Sequence, residues 1–187
     1  MRPMSAEAVG LHMPAVVTLE DLAAMNAADV HGHRYETSPE GVLSVMPPPD
    51  SEHAIIASRL FAWLIMAGWA ADQVLQVAGV GIAGTESVGG RIPDLTVWKK
   101  APPRGVWLAA ADLLLVVEIM SPGSEAMDEV TKRGEYALAG IPQYWVVNRD
   151  NVQTVALYRL DSSGSYVERA KMPLAWLLQT APANHID

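Results

Sequence analysis

A chain of 187 residues, half of them hydrophobic, is long enough to build one compact core with added elements. It has no cysteine, which excludes disulfides and thiolate metal sites, so a metal would have to sit on carboxylates, carbonyls or imidazoles, a donor set that favours hard cations such as Mg²⁺. A net charge of −8 argues against a surface built for general phosphate binding and leaves room only for a local basic groove.

The N-terminus, "MRPMSAEAVGLHMP", lacks the apolar core of a secretory signal, and residues 1–17 read as a frayed tail. The longest uninterrupted apolar stretch, "FAWLIMAGWAA" at 61–71, falls far short of the roughly 20 residues needed to cross a bilayer. The expectation is a soluble, cytoplasmic protein with no membrane contact, folded as a single domain over 18–178 and followed by a tail at 179–187.

Thr18 with Asp21 three residues later forms an approximate capping box, so a short helix starts near residue 19. In "HRYETSPEGVLSVMP" two short runs flank Ser38-Pro39-Glu40-Gly41, which predicts a hairpin. Asp50 or Ser51 caps the next helix, where Ile55, Ile56, Leu60, Trp63 and Leu64 recur at helical spacing. Three extended segments follow at 73–83, 94–98 and 113–120, the first two joined by "GTESVGGR" as a hairpin connection and the last two by the proline-containing loop "KKAPPRGVW". A helix from about Glu125 to Ala139 stops at Gly140, with Pro142 just beyond. "QYWVVN", "TVALYRL" and "SYVERAK" complete the set as strands, with Tyr144 and Trp145 contributing to the core.

Two carboxylates stand where aliphatic residues would pack better. Asp94 immediately precedes an apolar strand, and Glu118 interrupts "LLLVVEIM", where an ionised carboxylate costs several kcal/mol unless it is paired or bound to a cation. Consecutive strands can pair as neighbours and bring both groups to one sheet edge, and Mg²⁺ suits the place between them because it binds through one or two carboxylates plus waters and phosphate oxygens. Asp128, Lys132 and Tyr136 recur at i, i+4 and i+8, one polar stripe on the helix that follows the Glu118 strand. A lysine there reaches over the carboxylates, where it would supply positive charge to a developing phosphorane or orient the attacking water. Each feature also has a plainer reading. Asp94 can cap a turn, Glu118 can pair with Lys132 or Arg133, and Asp128 with Lys132 can be a surface pair worth only about 0.3–0.5 kcal/mol. Glu52 would add a ligand or simply favour the helix dipole. His53 would be a ligand, a packed side chain or a cap.

Together these residues resemble a known pattern. Pro93-Asp94 followed by Glu118 at the end of an apolar strand is similar to the PD-(D/E)xK signature of the restriction-endonuclease-like superfamily. "YETSPEGVLSVMPPPDSEH", "RIPDLTVW", "LLLVVEIMSPGS" and "DEVTKRGEYALAGIPQYWVVN" resemble the Uma-two family of bacterial endonucleases. The resemblance implies an α/β fold with a restriction-endonuclease-like core of helix, three strands, helix and strand, preceded by a helix and hairpin and followed by extra strands. It implies a Mg²⁺- or Mn²⁺-dependent endonuclease acting on DNA, with the metal on Asp94, Glu118 and the Ile119 carbonyl. Met120 occupies the place where the superfamily pattern has its lysine, and the resemblance assigns that role to Lys132, with Asp128 and Tyr136 beside it. Gln143 replaces the family's usual acidic residue. A homodimer that gathers Arg91, Lys99, Lys100 and Arg104 into a basic cleft would reconcile DNA binding with the acidic composition. A catalytically silent dimeric interaction protein and a hydrolase of small phosphate esters are the alternatives.

Overall fold

The computed structural model of the chain describes residues 17–84, 87–121 and 127–186, with the backbone alone at 127–129. Helix α1 (Leu19–Ala28) opens with the expected capping box: Asp21 N donates to Thr18 Oγ1 (3.1 Å) and Thr18 N to Asp21 Oδ2 (2.9 Å). Strands β1 (Arg34–Thr37) and β2 (Leu43–Met46) form the expected antiparallel hairpin. Side chains alternate across a strand, so Arg34 and Glu36 share one face of β1 while Tyr35 takes the other and donates to Asp29. Helix α2 (Ser51–Met66) is capped by Asp50, whose carboxylate accepts from His53 N at 3.0 Å.

The extended run at 73–83 is not one strand. Val77, at φ 54°, turns the chain, so that β3 (Val74–Gln76) and β4 (Gly79–Ala83) enter different sheets. The glycine-containing segment expected as a mere connection holds a strand, β5 (Val88–Arg91), paired antiparallel with β4. Only glycine fits at position 89, where a Cβ would lie 2.6 Å from the backbone of Thr37, Ser38 and Pro39. That close approach of β5 to β1 carries Arg91 into the interior. Strands β6 (Leu95–Trp98), β7 (Trp107–Ala109) and β8 (Leu113–Ile119) follow.

After β8, a π-helical turn over Met127–Lys132 runs into α3 (Arg133–Leu138). The helix predicted from 125 thus has its first two residues outside the described ones, and it ends at Gly140, φ 72°. Strands β9 (Gln143–Val147), β10 (Thr154–Leu160) and β11 (Tyr166–Pro173) and the short helix α4 (Leu174–Leu177) complete the chain.

Two sheets result, one in the order β2-β1-β5-β4-β7 and one in the order β11-β10-β9-β8-β6-β3. On one face of the six-stranded sheet, Ile56, Leu60 and Leu64 of α2 pack against Leu95, Leu115, Val117 and Trp145. On the other, Val80 and Ile82 of the smaller sheet and Tyr136 of α3 pack against Trp98, Val116 and Tyr144. Residues after Leu178, expected as a tail, continue onto the first core: Ile186 is buried there, and Trp63 Nε1 donates to Thr180 O at 2.9 Å. No described helix is long and apolar enough to cross a membrane.

Candidate active site

Strands β6 and β8 run antiparallel with Leu95 opposite Val117, which places Asp94 and Glu118 next in register at the end of the pair. The two carboxylates found from sequence are therefore neighbours, and both are buried. Asp94 Oδ2 accepts from Ile119 N (2.8 Å), and its Oδ1 lies 3.0 Å from both Arg34 Nη1 and His53 Nε2. Burial works against ionisation of Asp94. The His53 hydrogen bond, the Arg34 and His53 charges and the Ile119 amide outweigh it and hold the carboxyl below its ordinary range.

Glu118 Oε1 accepts from Lys132 Nζ (3.1 Å) and from the Tyr136 hydroxyl (2.7 Å). Lys132 and Tyr136 are four residues apart and reach the same oxygen, so this part of the expected helix stripe faces the site. The Asp128 side chain lies outside the described residues. Tyr136 is fully buried, and burial, followed by the Glu118 charge, pushes its hydroxyl well above its ordinary value, so it remains a proton donor. Met120 packs in the second core.

The site extends further than the sequence pattern suggests. Glu36 Oε2 lies 3.3 Å from Lys132 Nζ and 3.4 Å from Arg91 Nη1, while Glu36 Oε1 accepts from Ile92 N at 2.8 Å. Arg91 in turn grips Glu135 through Nε (2.7 Å) and Nη2 (2.6 Å). A continuous chain of charges thus runs from Glu118 through Lys132, Glu36 and Arg91 to Glu135. Arg91, expected in a surface cleft, is fully buried instead, because Glu36 and Glu135 supply the two carboxylates that a buried guanidinium requires.

Glu52 does not join the pair: Arg149 (2.8 and 3.0 Å) and Gln153 (3.3 Å) take its carboxylate. Its neighbour His53, one residue on, does reach Asp94. Arg133 pairs with neither carboxylate, lying 4.3 Å over the Tyr158 ring and donating to Tyr166 O. Lys99, Lys100 and Arg104 are exposed, and Lys100 lies 3.1 Å from Asp112.

Four carboxylates, Glu36, Asp94, Glu118 and Glu135, face three permanent cations, Arg34, Arg91 and Lys132, among the described residues of this cluster. The excess is negative, and carboxylate oxygens are hard donors. No group of three or more metal-ligating side chains converges among the described residues. Two carboxylates plus a main-chain carbonyl and waters are nevertheless the sparse protein ligation that Mg²⁺ accepts, so the donor set fits such a cation.

Among solved structures the chain is similar to a protein of Anabaena variabilis titled "putative nuclease belonging to DUF820", with a TM-score of 0.57, 18% identity, and coverage of 76% of this chain and 79% of that one. No curated protein matches. At that identity the likeness is one of fold alone. Residues 19–183 match the profile described as "Putative restriction endonuclease", and the chain accordingly belongs to the Uma2 family.

Proposed function

We propose that this protein is a divalent-cation-dependent phosphodiesterase that cuts DNA, with Mg²⁺ or Mn²⁺ as cofactor. The observation that carries the reading is the pair of buried carboxylates at adjacent strand ends, with the Lys132 ammonium 3.1 Å from one of them. Asp94, Glu118 and the Ile119 carbonyl would hold the cation. Bound there, it would polarise a phosphoryl oxygen and lower the pKa of an attacking water.

The chain's own groups have separable tasks in this reading. Lys132 supplies fixed positive charge for the phosphorane, held between Glu118 and Glu36 so that it need not reorganise. Tyr136 donates to Glu118 and fixes its orientation. His53 and the Ile119 amide do the same for Asp94.

Incubating a supercoiled plasmid with the protein tests the proposal. Cleavage should occur with Mg²⁺ or Mn²⁺, stop with a chelator and be lost in Asp94→Asn. Chelator-insensitive cleavage, or equal cleavage by the variant, would overturn it.

Burial of Arg91 removes one cation from the proposed DNA cleft, and Asp112 lies beside another, the exposed Lys100, which leaves few basic residues for a homodimer to gather. That favours a second reading, hydrolysis of small phosphate diesters. Turnover of a chromogenic phosphodiester without duplex binding would select it.

A further inference from the structure

We propose that Arg34 holds the substrate phosphate, through the Nε–H and Nη2–H edge of its guanidinium. The proposal rests on the phosphodiesterase reading above and names what else binds the phosphate there.

A guanidinium offers five donors, and its Nε/Nη2 edge presents two parallel N–H groups that match a carboxylate or a phosphate. Arg91 shows that edge in use, since its Nε and Nη2 donate to the two oxygens of Glu135 at 2.7 and 2.6 Å. Arg34 differs. Both of its hydrogen bonds leave from Nη1, one to Asp94 Oδ1 at 3.0 Å and one to Ile92 O at 3.4 Å. Its Nε is buried, and neither Nε nor Nη2 has a hydrogen-bond partner among the described residues.

A buried N–H that has left water without gaining an acceptor is unfavourable, and native structures almost always satisfy such groups. An oxygen supplied by a ligand would satisfy it. The Asp94 contact fixes where that oxygen must be, because it clamps the guanidinium plane beside a proposed metal ligand. Glu118 and Glu36 add to the negative field around Arg34, and together with Asp94 they hold its charge firmly in place against burial. The free edge of Arg34 would then take a phosphate next to Asp94, one of the residues that would hold the cation. Lysine cannot reproduce this, since an ammonium is a point charge without the two-donor fork.

The test uses the full-length protein with Mg²⁺ present and inorganic phosphate as the probe. The Arg34 Nε–H resonance is followed by ¹⁵N-resolved NMR during a phosphate titration, and phosphate affinity is compared with that of Arg34→Lys. The expected result is a saturable shift of the resonance and at least about a tenfold loss of affinity in the variant. The variant should retain its metal affinity, and in cleavage of a short duplex it should show a raised KM. An unshifted resonance, or equal phosphate affinity in both proteins, would overturn the assignment, and the wild-type titration decides this even if the variant does not fold. Phosphate binding that depends on Arg34 in a protein that cuts no DNA would sink the nuclease reading and keep Arg34. Cleavage by a protein whose Arg34 resonance ignores phosphate would do the reverse.

Discussion

Two arginines, Arg91 fully buried and Arg34 half-buried, divide the charge network into a closed half and an open half. Arg91 has a carboxylate partner at each of its three nitrogens: Glu135 takes Nε and Nη2 and Glu36 takes Nη1, and although burial disfavours its charge, those carboxylates raise its pKa above the ordinary value. Arg34 spends only Nη1, and near it His53 Nδ1 is also buried without a partner among the described residues. The difference separates scaffold from binding site. A group whose every nitrogen is met inside the protein holds the fold together, whereas one with a buried nitrogen to spare can still take a ligand.

Substitution in the closed half should affect stability most. Arg91→Met leaves Glu36 and Glu135 facing each other without their shared cation, and breaking a buried pair in this way costs about 3–5 kcal/mol. Thermal unfolding should show a fall of roughly 6–20 °C for a chain of this size. A shift of only a degree or two would mean that the closed half is not structural.

Lys132 stands at the junction. Lys132→Met should reduce cleavage by about 10²-fold or more, of order 3 kcal/mol of transition-state stabilisation, and Lys132→Arg should recover little of it. The plainer reading of the sequence, a surface pair with Asp128, predicts a loss that would hardly be felt. The buried contacts to Glu118 and Glu36 mean that the variant should also melt earlier, so single-turnover rates must be measured where both proteins are folded. A folded variant that cuts at the wild-type rate would remove Lys132 from the chemistry.

A smaller effect is expected from Glu36→Gln, which retains an acceptor for Ile92 N but turns an amide towards Lys132 and Arg91. Cleavage should drop roughly tenfold, about 1.4 kcal/mol. If Glu36 acts by positioning Lys132, the same change in a Lys132→Met background should cost little more, because coupled residues are not additive. Full additivity in the double variant would make Glu36 part of the closed half alone.

These residues also show what could be read from the chain. Asp94 and Glu118 were legible because each is a carboxylate set against apolar strand residues, and Lys132 and Tyr136 because helical spacing aligned them. Arg34 and Glu36 were not, since "RYET" looks like an ordinary exposed hairpin strand and nothing local shows that its charged face turns inward. Their partners lie far along the chain, Asp94 sixty residues from Arg34 and Ile92 fifty-six from Glu36. Arg91 was misread for a related reason. Two glycines before it suggest a loop, and only the close approach of β5 to β1 reveals that they form a buried strand. The split of the 73–83 segment turns on Val77, a residue type that rarely adopts a positive φ and so gives no warning of a bend.

The smallest expected effect concerns the pH dependence of the open half. Asp94 is ionised in the fold at a pH where an unfolded aspartate would already be protonated, because His53, Arg34 and the Ile119 amide overcome the cost of burial. A depressed carboxyl pKa contributes stability that is fully present above the unfolded value, near 3.8, and is lost as pH falls through the folded value below it. In that window the unfolded chain binds the extra proton, so the contribution must rise with pH. Other carboxylates titrate in the same range, and the comparison with Asp94→Asn isolates this one. Urea unfolding of both proteins should give parallel profiles above about pH 5 and a shallower acid decline for the variant below about pH 4. Parallel profiles throughout would show that Arg34 and His53 do not hold Asp94 ionised. The open half would then lose the fixed negative charge against which the proposed metal and the Arg34 fork would be positioned.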